Sequence, residues 1–240
     1  MTYYSGFVAA VPTANKQAYI DHARGAWPHF QKRGALRMVE CWAEDVQHGT
    51  QTDFYRATQA TEDETPIFSW IEWPDRATCD AAWADMMADP EMGDMGDMPF
   101  DGTRMFWGGF APVLSEGESR PGTYVQGFVL CAPADRKQAY IDMARSVTDM
   151  FTKYGANFQM EGWGEDVPHG KRTDFYRATE AQEGEVPLFS WIEWPDRATC
   201  DEAGRKMEAE MEGMEMPAEM PFDGKRMFWG GFVPVFDSRG

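Results

Sequence analysis

Alternating and helical patterns of apolar residues predict the same kinds of element throughout the first half of the chain. Runs rich in β-branched and aromatic residues, bounded by prolines or turn residues, predict strands over 3–11, 36–43, 67–73 and 104–113. Apolar residues at helical spacing predict a helix over 16–32, and Asp75 is placed to cap a second helix. The segment TDFYRAT predicts a shorter helix, capped by Thr52 or Asp53.

The same succession of elements is written twice. Three motifs recur in order, at 16–21 and 137–142 (KQAYID), 52–58 and 173–179 (TDFYRAT), and 68–80 and 189–201 (FSWIEWPDRATCD). A repeat of this length indicates a duplicated domain rather than a short-period solenoid. We therefore predict a first domain over 1–115, a linker over 116–121 and a second domain over 122–240.

The order in each copy is β-α-β-β-α-β, which is the ferredoxin-like arrangement. Such a sheet carries helices on one face only, and its other face needs a cover. The predicted class is therefore α+β, with two ferredoxin-like domains. We expect their antiparallel sheets to pack face to face as an intramolecular pseudo-dimeric α/β barrel.

Strand alternation then suggests which side chains face the interior of the barrel. Because helices generally cover aliphatic faces, we expect Val8, Val39 and Ile71 to pack against helices. The opposite faces would meet inside the barrel as an aromatic wall that carries carboxylates. Its expected members are Phe7, Glu40, Trp42, Phe68, Trp70 and Glu72 in the first copy, and Phe128, Glu161, Trp163, Phe189, Trp191 and Glu193 in the second.

Carboxylates on an aromatic wall are candidate catalytic groups. Desolvation raises the pKa of such a group toward neutrality, which suits a general acid or base. The candidate catalytic carboxylates are Glu40, Glu72, Glu161 and Glu193. The alternative is a structural role, in which each carboxylate is paired with an arginine or with an indole N–H.

Two histidines and two arginines extend this candidate site. His48 and His169 occupy equivalent loops near acidic residues, so each is a candidate base, or else a solvated turn residue. Arg104 and Arg226 follow a PFDG turn at the entry to the last predicted strand of each copy. The candidate ligand-binding residues are Phe7, Trp42, Phe68, Trp70, Arg104, Phe128, Trp163, Phe189, Trp191 and Arg226.

Charge and composition exclude several classes of partner. The chain of 240 residues has a formal charge of −18 and no basic cluster, which disfavours nucleic acid and anionic membrane surfaces. The first residues lack the basic and apolar regions of a signal peptide, and no stretch is long and apolar enough to span a membrane. Four cysteines without CxxC spacing favour reduced thiols, so we expect a cytoplasmic protein.

No motif indicates a cofactor or a metal. Phosphate-binding loops, dinucleotide fingerprints, nucleophile elbows and HExxH are all absent from the sequence, so we expect none of the cofactors that they hold. Methionine-rich segments at 86–98 and 207–220 invite a Cu(I) interpretation, because thioethers are soft ligands. The carboxylates between those methionines favour acidic loops that cover the mouth of the barrel.

Several specific motifs resemble the YbaA-like bacterial family, catalogued as domain of unknown function 1428. They are Gly34-Ala35, Glu40-Cys41-Trp42, Asp53-Phe54, Phe68 to Pro74 and Met98 to Met105, together with their counterparts in the second copy. The resemblance covers both halves almost end to end and implies a dimeric α/β-barrel fold. Because family members are usually single domains, it also implies that this chain replaces a homodimer with an internal one. The family has no established activity, and the wider superfamily includes cofactor-free oxygenases, haem enzymes, isomerases and ligand-binding regulators.

Three functions therefore stay open at the level of sequence. The first is binding of a small, partly apolar molecule in a barrel pocket lined by aromatic residues and carboxylates. The second is a cofactor-independent enzyme that abstracts protons or oxygenates, using an inner Glu or His. The third is a structural or stress-related protein whose barrel is filled by side chains, and further homo-oligomers are compatible with any of the three.

Overall fold

The structure is a computed structural model that describes residues 1–89, 98–212 and 220–240. Within these ranges the chain forms a closed barrel of eight antiparallel strands with helices on its outside. The strands are β1 (Tyr3–Pro12), β2 (Arg37–Asp45), β3 (Glu64–Trp73), β4 (Phe106–Gly117), β5 (Tyr124–Pro133), β6 (Phe158–Asp166), β7 (Glu185–Trp194) and β8 (Phe228–Asp237). The helices are α1 (Lys16–Gln31), α2 (Phe54–Ala57), α3 (Arg76–Ala88), α4 (Lys137–Lys153), α5 (Phe175–Ala178) and α6 (Arg197–Met211).

Local sequence signals account for most of these boundaries. The Asp75 side chain accepts a hydrogen bond from the backbone N–H of Thr78 at 2.7 Å and so caps α3 as predicted. Asp53 rather than Thr52 caps α2, because its carboxylate accepts from the N–H of Arg56 at 2.7 Å. None of the helices in the described ranges is long and apolar enough to span a membrane.

The strand order is β1-β3-β2-β8-β5-β7-β6-β4, and the ring closes between β4 and β1. Each copy contributes four neighbouring strands, and the copies join edge to edge through β2 with β8 and β4 with β6. Beyond its predicted end, β4 continues to Gly117, where it pairs with Phe158 of the second copy. Residues 116–117, predicted as linker, are therefore part of this strand. An α+β antiparallel barrel is confirmed.

The prediction of which strand faces point inward is wrong in part. Val8 and Val39, expected against helices, belong to the central core with Phe68 and Trp70. Ile71 packs on the helix side as predicted. Six residues expected inside the barrel lie instead on its outer face against helices. They are Phe7, Glu40 and Trp42 in the first copy and Phe128, Glu161 and Trp163 in the second.

The interior of the barrel is a packed core of aromatic rings. Phe68 and Phe189 stack at the centre with ring centroids 4.1 Å apart, and Trp70 and Trp191 stack at 4.3 Å. A Cβ atom added to Gly6 would lie 2.9 Å from the Phe189 ring, so this position needs glycine. Small residues on β1 and β2 thus leave the space that large rings from β3 and β7 fill. The methionine-rich loops predicted to cover the barrel mouth fall largely on 90–97 and 213–219, outside the described residues.

Candidate functional site

The two carboxylates at the ends of the inner aromatic wall are paired. Glu72 contacts Arg239 at 3.0 Å. Glu193 is fully buried and accepts hydrogen bonds from the hydroxyl of Ser119 at 2.5 Å and the indole N–H of Trp191 at 3.2 Å. These contacts correspond to the structural alternative for both residues.

The loop histidines lie in solvent rather than in a buried site. The side chains of His48 and His169 are 74% and 75% exposed. Each imidazole packs at a tilt of 33° against the tyrosine of the following short helix, with ring centroids 4.4 Å apart for Tyr55 and 4.3 Å apart for Tyr176. Neither ring is held near an inner carboxylate, so the structure does not bring the predicted base and acid together.

The predicted ligand-binding arginines form buried ion pairs. Arg104 donates to Glu64 at 2.5 and 2.7 Å, and Arg226 donates to Glu185 at 2.6 and 2.7 Å. The hydrogen bonds from Arg104 hold the pKa of Glu64 below its usual value. Both guanidinium groups are thus engaged within the protein in the bidentate geometry that suits Arg and carboxylate.

A different carboxylate, Glu40, combines burial with an open pocket. Strand β2 directs Glu40 outward to α1, where the Tyr19 hydroxyl donates to its Oε2 atom and lies 3.2 Å from Ser69 Oγ. Glu40 is only 8% exposed. Burial raises the pKa of Glu40 to about 7, although hydrogen bonds from Ser69 and Tyr19 oppose the shift. At neutral pH this carboxyl can therefore both donate and accept a proton.

The cavity beside Glu40, called here the Glu40 pocket, has a volume of about 140 Å3. It lies between α1 and the outer face of the sheet. Its apolar lining includes Phe7, Ala23, Ala26, Phe30, Met38 and Ile71. Its polar groups are Glu40, Tyr19 and His22. Burial lowers the pKa of His22, which favours the neutral imidazole.

The second copy has an equivalent cavity of about 150 Å3, called here the Glu161 pocket, in which the carboxylate has different hydrogen-bond partners. Tyr140 donates to Glu161 Oε2 at 2.6 Å, as Tyr19 does to Glu40. Here, however, Gln159 donates to the other carboxylate oxygen at 2.8 Å and is itself held by Thr148 at 3.0 Å. In the first copy the residue equivalent to Gln159 is Met38, which has no amide. The Glu40 carboxyl therefore lacks the amide donor that Gln159 provides to Glu161.

Sequence reasoning missed Tyr19, Tyr140 and Gln159. A signal for Tyr19 was present, because it shares the apolar face of α1 with Ala23 and Ala26. A buried phenol normally finds a polar partner, and Glu40 is the carboxylate that β2 presents to it. The aromatic residues Phe68, Trp70, Phe189 and Trp191 are brought together as expected, but as a filled core.

Comparison with known proteins gives matches to both sequence and fold. The family described as "Protein of unknown function (DUF1428)" matches residues 2–102 and again residues 123–224. The uncharacterized protein YbaA of Escherichia coli K12 is 51% identical over 117 residues, covering 48% of this chain and 100% of that protein. One full-length relative thus corresponds to one repeat, and the tandem duplication is confirmed.

Solved structures show the same fold at low sequence identity. A protein from Fusobacterium nucleatum titled "putative monooxygenase" is 8% identical with a TM-score of 0.54, over 98% of this chain and 93% of its own. An anthrone oxidase-like protein is also 8% identical with a TM-score of 0.54, over 98% and 92% of the two chains. At this identity the likeness concerns the fold alone.

Proposed function

The chain belongs to the family described as Protein of unknown function (DUF1428), and we propose that it binds a small, mainly apolar molecule in the Glu40 pocket. The observation that carries the proposal is a buried carboxyl with a pKa of about 7 at the wall of an apolar cavity. Apolar walls with few polar groups are typical of ligand sites. The single ionisable carboxyl would orient the ligand.

The size of the pocket limits the ligand. A volume of about 140 Å3 is close to that of a protein cavity of ~150 Å3 that accepts benzene. The bound part of the ligand is therefore about one six-membered ring, and a larger molecule would extend from the pocket into solvent.

The ligand's polar group follows from the protonation state of Glu40. Below its pKa, the carboxyl can donate a hydrogen bond to a carbonyl oxygen, while Tyr19 continues to donate to Oε2. The Glu161 carboxylate is held by both Tyr140 and Gln159 and is less available. We therefore assign the first pocket as the working site for a neutral cyclic molecule with a carbonyl group.

Cyclohexanone is a suitable probe because it accepts hydrogen bonds but cannot donate them. Its affinity, measured by ligand-observed NMR, should fall about tenfold between pH 6 and pH 8, since the protonated fraction of a group with a pKa of about 7 falls by that factor. In Glu40→Gln the amide can still donate, so binding should persist without this pH dependence. Glu161→Gln is the matched control and should retain it. Absence of saturable binding to the wild-type protein, or an identical pH profile in Glu40→Gln, would contradict the proposal.

A second candidate function is proton transfer on a molecule bound in the same pocket. It is favoured by the same pKa, because a general acid or base works best when its pKa lies near the operating pH. Hydrogen–deuterium exchange at the carbons next to the carbonyl of cyclohexanone distinguishes the two. Exchange faster with wild-type protein than with Glu40→Gln indicates catalysis, and equal rates indicate binding alone.

The finer organisation of the chain is part of the same proposal. We interpret the barrel as an internal pseudo-dimer of two ferredoxin-like domains, over 1–115, which β4 extends to Gly117, and over 122–240. We also interpret the protein as cytoplasmic. The support for the pseudo-dimer is the strand order, which is β4-β1-β3-β2 in the first repeat and the equivalent β8-β5-β7-β6 in the second. Light scattering would reveal association beyond a single chain.

A further inference from the structure

The two copies differ at one bulky position on the helix that follows β3 or β7. In the first copy Trp83 of α3 lies against Phe30 at 5.6 Å and stacks on Trp107 at 5.9 Å between ring centroids. In the second copy the equivalent residue of α6 is Gly204, and a Cβ atom there would meet nothing within 4 Å. The second repeat therefore lacks a ring where the first has one.

A groove of about 360 Å3 occupies the corresponding place in the second repeat. Its walls include Tyr124, Gln126, Cys200 and Trp229. Trp229 is the counterpart of Trp107 and is 49% exposed against 37%, as expected when its stacking partner is missing. The groove shares no lining residue with the Glu40 pocket and is therefore independent of the function proposed there.

A polar network beneath this groove is incomplete as well. In the first copy Ser5 Oγ accepts hydrogen bonds from Trp73 Nε1 at 3.0 Å and from Trp83 Nε1 at 3.4 Å. In the second copy Gln126 replaces Ser5. Trp194 Nε1, the counterpart of the first donor, is buried and has no hydrogen-bond partner among the described residues. Buried donors are seldom left in this state, so the second repeat has lost a polar contact in the core next to the groove wall that Gln126 forms.

The charged side chains around the groove indicate which charge a ligand would carry. Three carboxylates line it, those of Asp45, Asp201 and Glu208, together with the single guanidinium of Arg205. Asp45 and Asp201 share Arg197 at 3.2 and 3.6 Å. Glu208 has no ion-pair partner in the part of the chain that the structure describes. The free carboxylate beside an exposed indole favours a cationic group.

We propose that this groove is a second binding site, for a flat aromatic molecule that carries an amino group. The ring stacks on Trp229 as Trp83 stacks on Trp107, and the ammonium group faces Glu208. The side chain that fills the place in the first repeat is an indole, so a bicyclic ring of that size fits the available space.

Tryptamine, indole and indole-3-acetate test both parts of this assignment, because they share a ring and differ in charge. In ligand-observed NMR titrations we expect tryptamine to bind best, indole more weakly and indole-3-acetate least. Gly204→Trp should reduce tryptamine affinity at least tenfold by filling the groove, whereas Gly204→Ala should leave it within twofold. Glu208→Gln should weaken tryptamine several-fold and leave indole unchanged.

Two results would overturn the assignment. One is the absence of saturable tryptamine binding to the wild-type protein, and the other is equal affinity for the wild-type protein and Gly204→Trp. Glu40→Gln is the control that separates this site from the first, since it should not alter tryptamine binding. A Cβ atom at Gly204 has open space around it, so we expect Gly204→Trp to fold. A melting curve like that of the wild type would verify this.

Discussion

Replacing Glu40 by glutamine should change how the stability of the protein depends on pH. Burial of the carboxyl in the folded state raises the pKa of Glu40 from its ordinary value of 4.5 to about 7. The folded protein therefore binds a proton more tightly than the unfolded chain. The contribution of Glu40 to stability is fully present below pH 4.5 and is lost as the pH rises through about 7.

The size of the effect follows from the same two values. Each pKa unit corresponds to about 1.4 kcal/mol. A rise in the pKa of Glu40 from 4.5 to about 7 therefore lowers the free energy of unfolding above pH 8 by roughly 3 kcal/mol, relative to its value below pH 4.5. Glutamine has nearly the same shape, can accept from Tyr19 and does not ionise. Relative to the wild type, Glu40→Gln should thus gain about 3 kcal/mol between pH 4 and pH 8.

Urea unfolding at several pH values measures this difference directly. Subtracting the wild-type curve from that of Glu40→Gln removes the contribution of the other carboxylates, which both proteins share. Glu161→Gln is the matched control and should show a smaller change, because Gln159 and Tyr140 stabilise the ionised form of Glu161. A difference between Glu40→Gln and the wild type that is constant from pH 4 to pH 8 would refute the reasoning.

Further predictions concern the core, the ion pairs and the second pocket. Phe68→Ala should lower the free energy of unfolding by about 3–5 kcal/mol, measured in urea, because it removes a fully buried ring at the barrel centre; a loss below 1 kcal/mol would contradict the packed core. Arg104→Met should cost about 3–5 kcal/mol in the same assay, since it leaves Glu64 buried without its partner, and the loss should shrink at low pH as Glu64 is protonated. Gln159→Met should raise the pKa of Glu161, followed by carbon-13 NMR; an unchanged pKa would show that the amide does not control this carboxyl.

The elements and the duplication could be predicted because their signals are local. The caps at Asp53 and Asp75 act on residues three positions away, so the sequence alone contains the interaction. The end of β4 could not be predicted in the same way. Its last residues pair with β6 of the other repeat, and nothing in their own pattern indicates that partner.

The inner and outer faces were misassigned for a reason that lies in the closed barrel. Phe68 and Phe189 meet at its centre and take up the space there, so β1 presents small residues, Gly6 and Val8, next to these rings. The expectation that aliphatic residues face helices ignores this limit on volume. Gly6 was the available clue, because a glycine in a strand often marks a close approach.

The candidate site depended on that same assignment. With Glu40 placed inside the barrel, its contact with Tyr19 on α1 could not be foreseen. The presence of an ionisable carboxyl near apolar residues was predicted, whereas its location between helix and sheet was not. The groove beside Gly204 could be found only by comparing the packing of the two copies, since a glycine in a helix does not itself indicate a cavity.

The most direct test of this account is a carbon-13 NMR titration of the glutamate side-chain carboxyl carbons, with Glu40→Gln used to assign the Glu40 signal. The account predicts that this signal titrates with a midpoint of about 7. A midpoint near the ordinary glutamate value of 4.5 would show that the carboxyl is solvated or paired as an anion, and the proposed role of the Glu40 pocket would then be contradicted.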